Sequence, residues 1–311
     1  MLMGLFLLIQ SLMPIKKSMT RLTLPILFII IYALRMKYLI LMFSLSFSLS
    51  VFAIYDEDNR VDFYKIQDPK LKEVSKAMAY QIYFDELKGW TFNRYWQILV
   101  STLNEVCPDE RFANHPIMRN DCSGILVGSK KLLIPGNCIT EHYCSNDLFY
   151  FMFNYHLESS NPLDVMRRKK NFYKCEKVLS RVFDRNTAMS YAVIELDKVV
   201  QDITPVKISA TETIGTSEEL ISMGHPAGMP LKIANQAFIA DENKDHFIVS
   251  SDIAGSSKGA GIFNARTYEL EGMLIGGSKN YTNSTDGCRR APVLPFAETQ
   301  ELAIRVKNIK L

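Results

Sequence analysis

From Cys107 onward the chain alternates between short β-rich runs and turn residues, and this alternation constrains the fold more than any other feature. Ten runs are recognisable, at 122–127, 131–134, 148–155, 173–183, 192–196, 220–223, 233–240, 246–249, 261–263 and 270–276. Many short strands at this spacing predict an antiparallel barrel or sandwich. With 311 residues and 48% apolar content, the chain can bury a large core, as one two-part domain or two small domains.

The segment before these strands predicts an extended arm followed by a helix. Residues 54–67 are acidic and then alternate between apolar and polar side chains. Asp68 is a good N-cap, and Pro69 fits the first helical position, so a helix is predicted over about 69–80. Two interpretations stay open: the helix packs against the body, or residues 54–105 form a pro-segment that is removed.

The end of the chain predicts one more helix. Pro295 is followed by a run that carries Leu302, Ile304 and Val306, and we expect a helix over about 296–309.

The first 53 residues have the composition of a leader. They carry five basic residues and no acidic one, so removing them takes the formal charge from +3 to −2. The net positive charge of the chain comes from these 53 residues, so it gives no support for nucleic-acid binding by the rest of the protein. Residues 36–53 begin with a charge, continue with an apolar run and end in small residues, which predicts a secretory signal cleaved after Ala53.

Residues 1–35 precede a signal that is already complete. Translation starts at Met36 in one interpretation, which makes the upstream part an over-long start. In the other, residues 1–35 are retained as a membrane anchor, although each of their apolar runs is shorter than the roughly 18 to 20 residues of a spanning helix. A membrane partner is expected only in the second case.

All six cysteines lie after the predicted cleavage point, at Cys107, Cys122, Cys138, Cys144, Cys175 and Cys288. An even number behind a signal peptide predicts three disulfides in an oxidising compartment, with the pairing left open. No His or Cys cluster has zinc spacing, so we expect no metal and no cofactor.

Four segments resemble trypsin-like (chymotrypsin-fold) serine proteases of the bacterial glutamyl-endopeptidase-like branch, in the order of that family. The segments are CSGILVGSKKLLIPGNC (122–138), SYAVIEL (190–196), GHPAGMPLKIA (224–234) and DIAGSSKGAGIF (252–263) followed by LEGMLIGG (270–277). The resemblance implies an all-β fold of two six-stranded antiparallel barrels, about 106–200 and 201–290, with the site between them. It also implies a Cys122–Cys138 disulfide.

The same resemblance implies that all three catalytic positions are substituted. Asn137 stands at the place of the general base histidine, Ser190 at that of the aspartate, and Lys258 at that of the nucleophilic serine. Ser256 and Ser257 replace the glycine and the acidic or amide residue of the oxyanion turn. A serine hydroxyl needs an imidazole to take its proton and a carboxylate to orient the imidazole, so triad catalysis is not expected here.

One catalytic alternative remains. Ser256 or Ser257 beside a deprotonated Lys258 would mimic a Ser–Lys dyad, because burial can lower a lysine pKa by several units. Neighbouring residues on one turn seldom aim their side chains at each other. None of the five histidines lies in a motif that would make it a substitute base.

These observations predict a secreted or periplasmic pseudoprotease, which acts by binding. The expected partner is an extended peptide or protein segment in the groove between the barrels, with no nucleic acid. Ile275, Gly276 and Gly277 are expected to line the edge at which relatives bind a peptide as an added strand. The alternatives are an active serine endopeptidase that uses Ser256 or Ser257 and a membrane-tethered structural protein.

Overall fold

The computed structural model describes residues 54–55, 57–90, 96–98, 106–120, 122–162, 171–253, 257–277, 281–291, 293–298 and 301–311. The predicted signal peptide at 36–53, residues 1–35 and the basic run at 167–170 lie outside the described residues. No helix in the described ranges is long and apolar enough to cross a membrane.

The described residues form mainly strands. In chain order the elements are β1 (Ile54–Tyr55), β2 (Arg60–Asp62), α1 (Pro69–Ser75), β3 (Met78–Tyr83), β4 (Leu87–Trp90), β5 (Trp96–Ile98), β6 (Ser123–Leu126), β7 (Lys131–Ile134), α2 (Glu141–Ser145), β8 (Phe149–Phe153), β9 (Phe172–Asp184), β10 (Met189–Leu196), β11 (Leu220–Gly224), β12 (Lys232–Ala237), β13 (Ile239–Glu242), β14 (His246–Val249), β15 (Gly261–Asn264), β16 (Leu270–Gly276), β17 (Thr282–Asn283), β18 (Arg289–Arg290), β19 (Val293–Leu294) and β20 (Glu301–Arg305). All ten predicted runs are strands, with 233–240 divided into β12 and β13.

Two sheets carry the fold, as the trypsin-like two-barrel prediction requires. The first is a closed barrel of six strands in the order β10-β7-β6-β3-β8-β9. The second is a half-barrel sheet of eight strands in the order β13-β14-β20-β16-β15-β11-β12-β2. The all-β class is confirmed, and the second half differs from the expected six-stranded barrel because strands from both ends of the chain join it.

The N-terminal segment is part of both sheets. Asp62 of β2 pairs with Lys232 of β12, as expected for an arm laid against the body. Helix α1 is confirmed but ends at Ser75, and Met78 begins a strand that lies between β6 and β8 in the first barrel. The first barrel therefore includes residues well before 106, and removing residues 54–105 would open it.

The predicted C-terminal helix at 296–309 is wrong. Residues Glu301–Arg305 are β20, which pairs with β14 on one side and β16 on the other. Its apolar side chains at Leu302, Ile304 and Val306 follow a period of two, which is the spacing of a strand. Because β20 is an inner strand of the sheet, both of its edges are hydrogen-bonded.

The two sheets pack against each other through one apolar core. Ile221 and Met223 of β11 and Phe263 of β15 belong to the same buried cluster as Ile125 and Leu133 of the first barrel. Burial of large aliphatic and aromatic side chains stabilises this seam by roughly 1.5–3 kcal/mol each.

Three disulfides join distant parts of the chain. They are Cys107–Cys288, Cys122–Cys138 and Cys144–Cys175. The Cys122–Cys138 pair confirms the pairing that the family resemblance implied, and closing a loop of this length contributes about 3 kcal/mol. Three disulfides fit an oxidising compartment outside the cytosol.

A buried ion pair fixes the arm to the second sheet. The Nζ of Lys232 is fully buried and lies 2.6 Å from Oδ1 of Asp62 and 3.1 Å from Nδ1 of His115. It also lies 4.8 Å from the centre of the Phe112 ring. Burial lowers the pKa of Lys232 to about 8, while the Asp62 carboxylate favours the charged form. The arm thus supplies the countercharge for a lysine that has no access to water.

Replacing Asp62 with alanine is expected to lower the free energy of unfolding by about 3–5 kcal/mol, because it leaves a buried charge without its partner. Urea denaturation followed by circular dichroism measures the loss. The double variant Asp62→Ala/Lys232→Met is the control and should recover most of it. A loss below about 1 kcal/mol in the single variant would contradict the role of the pair.

Candidate functional site

The turn that carries Lys258 is held by both sheets. The amide of Ser123 in β6 donates a 2.7 Å hydrogen bond to the carbonyl oxygen of Lys258, and the amide of Gly259 donates one of 2.7 Å to Leu274 of β16. Gly259 has a φ of +87°, and a Cβ there would lie 1.9 Å from the carbonyl oxygen of Ser123. Only glycine fits this position, so the backbone around Lys258 is fixed.

Asn137 lies in the turn after β7 and is exposed. Its turn is anchored from β9, where the Nε of Arg181 donates to the carbonyl oxygens of Gly136 and Ile139 at 2.7 and 2.8 Å. The buried Oγ of Ser190 in β10 donates to Oδ1 of Asn137 at 3.3 Å. The predicted general-base and aspartate positions are therefore in direct contact.

Asn137 and Lys258 line one cavity of about 550 Å³. Its other lining residues are Gln81, Tyr83, Phe84, Asp85, Asn120, Cys122, Cys138, Tyr143, Leu148 and Phe149. The fold thus brings together the three positions that the sequence singled out: Asn137 contacts Ser190 and shares a cavity wall with Lys258.

A satisfied amide pair forms part of the cavity wall. The Nδ2 of Asn120 donates to Oε1 of Gln81 at 2.8 Å, and the Nε2 of Gln81 donates to the carbonyl oxygen of Cys138 at 2.9 Å. Both side chains are buried. The pair ties β3 to the disulfide-bonded turn of Asn137, so this wall is rigid.

Sequence reasoning missed the residues of β3 and α2 that line the cavity. Gln81, Tyr83 and Phe84 come from the 54–105 segment, which was expected to form an arm and a helix outside the first barrel. Tyr143 lies on α2, a helix that was not predicted, and Leu148 follows it. The apolar residues at 78–84 are typical of a strand, and they would have indicated β3 if the predicted helix had been ended at Ser75.

The predicted binding edge lies at the end of β16. The ladder with β15 extends to Met273, whereas the ladder with β20 continues to Gly276 opposite Leu302. Gly276 is half-buried, and a Cβ added to it would meet no atom within 4 Å. In the described ranges, residues 275–277 thus extend past the end of β15, the geometry that strand addition needs.

Of the two serines considered as alternative nucleophiles, only Ser257 lies in the described residues. Ser256 lies outside the described residues. Ser257 is fully buried, and its Oγ packs close to Gly224, where an added Cβ would lie 2.8 Å from it. This hydroxyl is buried and does not belong to the described cavity lining.

The five histidines do not line the cavity, and each has another environment. His115 contacts Lys232, His142 lies on α2, His156 contacts Glu158 at 2.8 Å, His225 stacks on Tyr155, and His246 lies on β14. The lining described above therefore offers amide, cationic, carboxylate, hydroxyl and apolar groups but no imidazole to accept a proton.

The carboxylates that flank β10 have structural roles. Asp184 accepts hydrogen bonds from the amide of Asn186 and the hydroxyl of Thr187 at 2.9 Å each. These bonds lower the pKa of Asp184. Asp197 accepts a 2.9 Å bond from the amide of Lys174.

A single group of potential metal ligands occurs in the described part of the chain. It consists of Cys107, Asp286 and Cys288. The two cysteines are joined in a disulfide, and metal ions bind thiolates rather than disulfide sulfurs. Asp286 is therefore the remaining ligand of the group, too few for a site.

Similarity to known proteins is found at the level of three-dimensional structure and not of sequence. No protein-family model and no curated protein matches the sequence. The chain is similar to the Vibrio cholerae VesB protease, with 11% identity, coverage of 80% of this chain and a TM-score of 0.46. It spans about 64% of the length of that protein. A Glu endopeptidase in complex with MPD is also similar, with 10% identity, coverage of 81% and 93% of the two chains and a TM-score of 0.41.

The buried histidine of the GHPAGMP loop makes stability depend on pH. The Nδ1 of His225 donates to the carbonyl oxygen of Met229 at 3.2 Å, and burial lowers the pKa of His225 to about 3. Since an unfolded histidine titrates at about 6.5, the unfolded chain binds more protons below that pH. The contribution of His225 is full above about pH 6.5 and is lost progressively as the pH falls toward 3.

Urea denaturation at about pH 7 and about pH 4.5 tests this dependence. The wild-type protein is expected to lose about 2–3 kcal/mol more than the His225→Phe variant, which keeps a ring against Tyr155 and cannot be protonated. Equal losses in the two proteins would contradict the depressed pKa of His225.

Proposed function

We propose that the protein is a secreted or periplasmic pseudoprotease with a trypsin-like fold, which binds an extended peptide or protein segment between its two sheets. The observation that carries this proposal is the contact of Ser190 with Asn137 beside Lys258, at the three positions where relatives keep their triad. In this proposal the scaffold is kept, whereas the described cavity lining holds no imidazole to act as the general base.

The chemistry of these side chains supports binding rather than cleavage. The amide of Asn137 cannot take a proton from a hydroxyl, and the hydroxyl of Ser190 carries no charge to stabilise a cation. Losing one main triad member lowers turnover by on the order of 10⁶ in a serine protease of this mechanism. A protein with three such substitutions is best understood as a binding protein.

The remaining groove suits a peptide. Residues 275–277 extend beyond the end of β15 and offer backbone groups to an added strand. Lys258 supplies a cation in the cavity lining, and the amide of the next residue, Gly259, is bonded to Leu274 of β16, so an acidic side chain or a terminal carboxylate is the expected feature of the ligand. The signal sequence predicted at 36–53 and the three disulfides support a location outside the cytosol.

A fluorophosphonate probe distinguishes this proposal from an active endopeptidase. The purified protein is expected to remain unlabelled by intact-mass analysis, with an active serine protease in the same reaction as the positive control. The Lys258→Ser variant should also stay unlabelled, because Asn137 cannot activate the new hydroxyl. Labelling of Ser256 or Ser257 in the wild-type protein would overturn the binding-only function.

Peptide binding is tested with an immobilised wild-type protein and a displayed library of extended peptides. We expect selected peptides to carry an acidic residue, and their affinity to fall by about tenfold in the Lys258→Ser variant, since a charge-assisted hydrogen bond contributes about 1.5–3 kcal/mol. Lys177→Ser, at an exposed position on β9, is the matched control. If the selected peptides bind the Lys258→Ser variant as tightly as the wild-type protein, the proposed peptide-binding groove at Lys258 is contradicted.

A further inference from the structure

His115 lies where the N-terminal arm meets the second sheet. Its Nδ1 is 3.1 Å from Nζ of Lys232 in β12 and 3.8 Å from Oδ1 of Asp62 in β2. Its ring packs edge-on against that of Phe112, with the ring centres 5.0 Å apart. The side chain is 16% exposed, so the imidazole is held among charged groups and can still exchange protons with water.

The hydrogen bonds of Lys232 define the protonation state of His115. A lysine ammonium has three N–H donors and no acceptor. The Nζ donors reach Oδ1 of Asp62 at 2.6 Å, and the carbonyl oxygen of Pro230 and Nδ1 of His115 at 3.1 Å each. Because the partner of an ammonium has to accept, Nδ1 of His115 carries no proton, and the ring is neutral with its proton on Nε2.

The surroundings of His115 oppose a second proton. A proton on Nδ1 would turn the acceptor into a donor and place two cations 3.1 Å apart. Burial and the charge of Lys232 lower the pKa of His115 to about 4, although the Asp62 carboxylate acts in the other direction. Other charged groups at this cluster are Lys65, which acts on His115, and Arg60 and Arg111, which act on Lys232 and pair with Asp58.

Strand β2 is attached by few contacts. It is the last strand in the order of the second sheet and pairs with β12 over three residue pairs. The amide of Asn59 adds a 3.0 Å hydrogen bond to Oδ2 of Asp252. Directly after β2, the ring of Phe63 stacks on that of His156 at 3.7 Å and belongs to the core. The chain up to Asp62 can therefore open locally while the core that begins at Phe63 stays packed.

We propose that acid releases residues 57–62 of the arm: protonation of Nδ1 of His115 breaks its bond with Lys232, and β2 leaves the edge of β12 while both sheets stay folded. An exposed histidine titrates at about 6.5, so the open form binds more protons than the closed form below that pH. The contribution of His115 to closure is full above about pH 6.5 and is lost progressively as the pH falls toward 4. This device is independent of peptide binding.

Hydrogen–deuterium exchange of the purified protein, read by mass spectrometry and corrected for the intrinsic effect of pH, tests the release. Between about pH 7 and about pH 4, the protection of residues 57–62 is expected to fall by about 100-fold, while β3 and β6 stay protected. His115→Asn keeps an acceptor for Lys232 and cannot be protonated in this range, so its protection should fall much less. His142→Asn, at an exposed histidine of α2, is the matched control and should behave as the wild-type protein.

Two exchange results would overturn the proposal. Equal losses in the wild-type protein and His115→Asn would assign the acid response to other groups, such as the carboxylates of Asp58 and Asp62. Simultaneous loss from residues 57–62 and from β6 would mean global unfolding instead of release. Nitrogen-15 NMR of the His115 ring in the wild-type protein is an independent measurement if the variant fails to fold: an unprotonated Nδ1 at neutral pH supports the proposal, and a protonated Nδ1 contradicts it.

Discussion

Ser123, a buried residue of β6, contacts both the turn that carries Lys258 and the loop that carries His225. Its amide bonds the carbonyl oxygen of Lys258, its hydroxyl accepts a 3.3 Å hydrogen bond from the amide of His225, and its carbonyl oxygen packs against Gly259. One residue of the first barrel thus positions both the Lys258 turn and the GHPAGMP loop of the second sheet. Two of these three contacts use backbone atoms only, so they do not depend on which side chains stand at positions 137, 190 and 258.

Asn137 and Ser190, which the proposed function places at two former catalytic positions, are chemically consistent with each other. Ser190 is buried, and a carboxylate at this position would require a cationic or hydrogen-bonding partner to offset its desolvation. With Asn137 in place of an imidazole, no imidazolium could form to provide that charge. The neutral hydroxyl of Ser190 instead makes a neutral hydrogen bond to the amide, so the pair forms a stable polar contact with no proton to transfer.

The strands of the fold were predictable because their signal is local, whereas the site was only partly so. Runs such as Lys131–Ile134 carry alternation and turn residues within a few positions, and the motif matches located Asn137, Ser190 and Lys258. The C-terminal strand was mistaken for a helix because a short apolar run fits both periods. The pairing of Cys107 with Cys288 and the contribution of 81–85 and 143–149 to the cavity lining could not be foreseen, since both join segments that are distant in the sequence.

The Cys107–Cys288 bond has a consequence for the unfolded chain. It links residues 181 positions apart, from before β6 to after β17, so strands of both sheets lie within one covalent ring. The oxidised chain keeps this ring when it unfolds, which lowers the conformational entropy of the unfolded state. The ring is the longest that any of the three disulfides closes, so its reduction removes the largest single constraint on the unfolded chain.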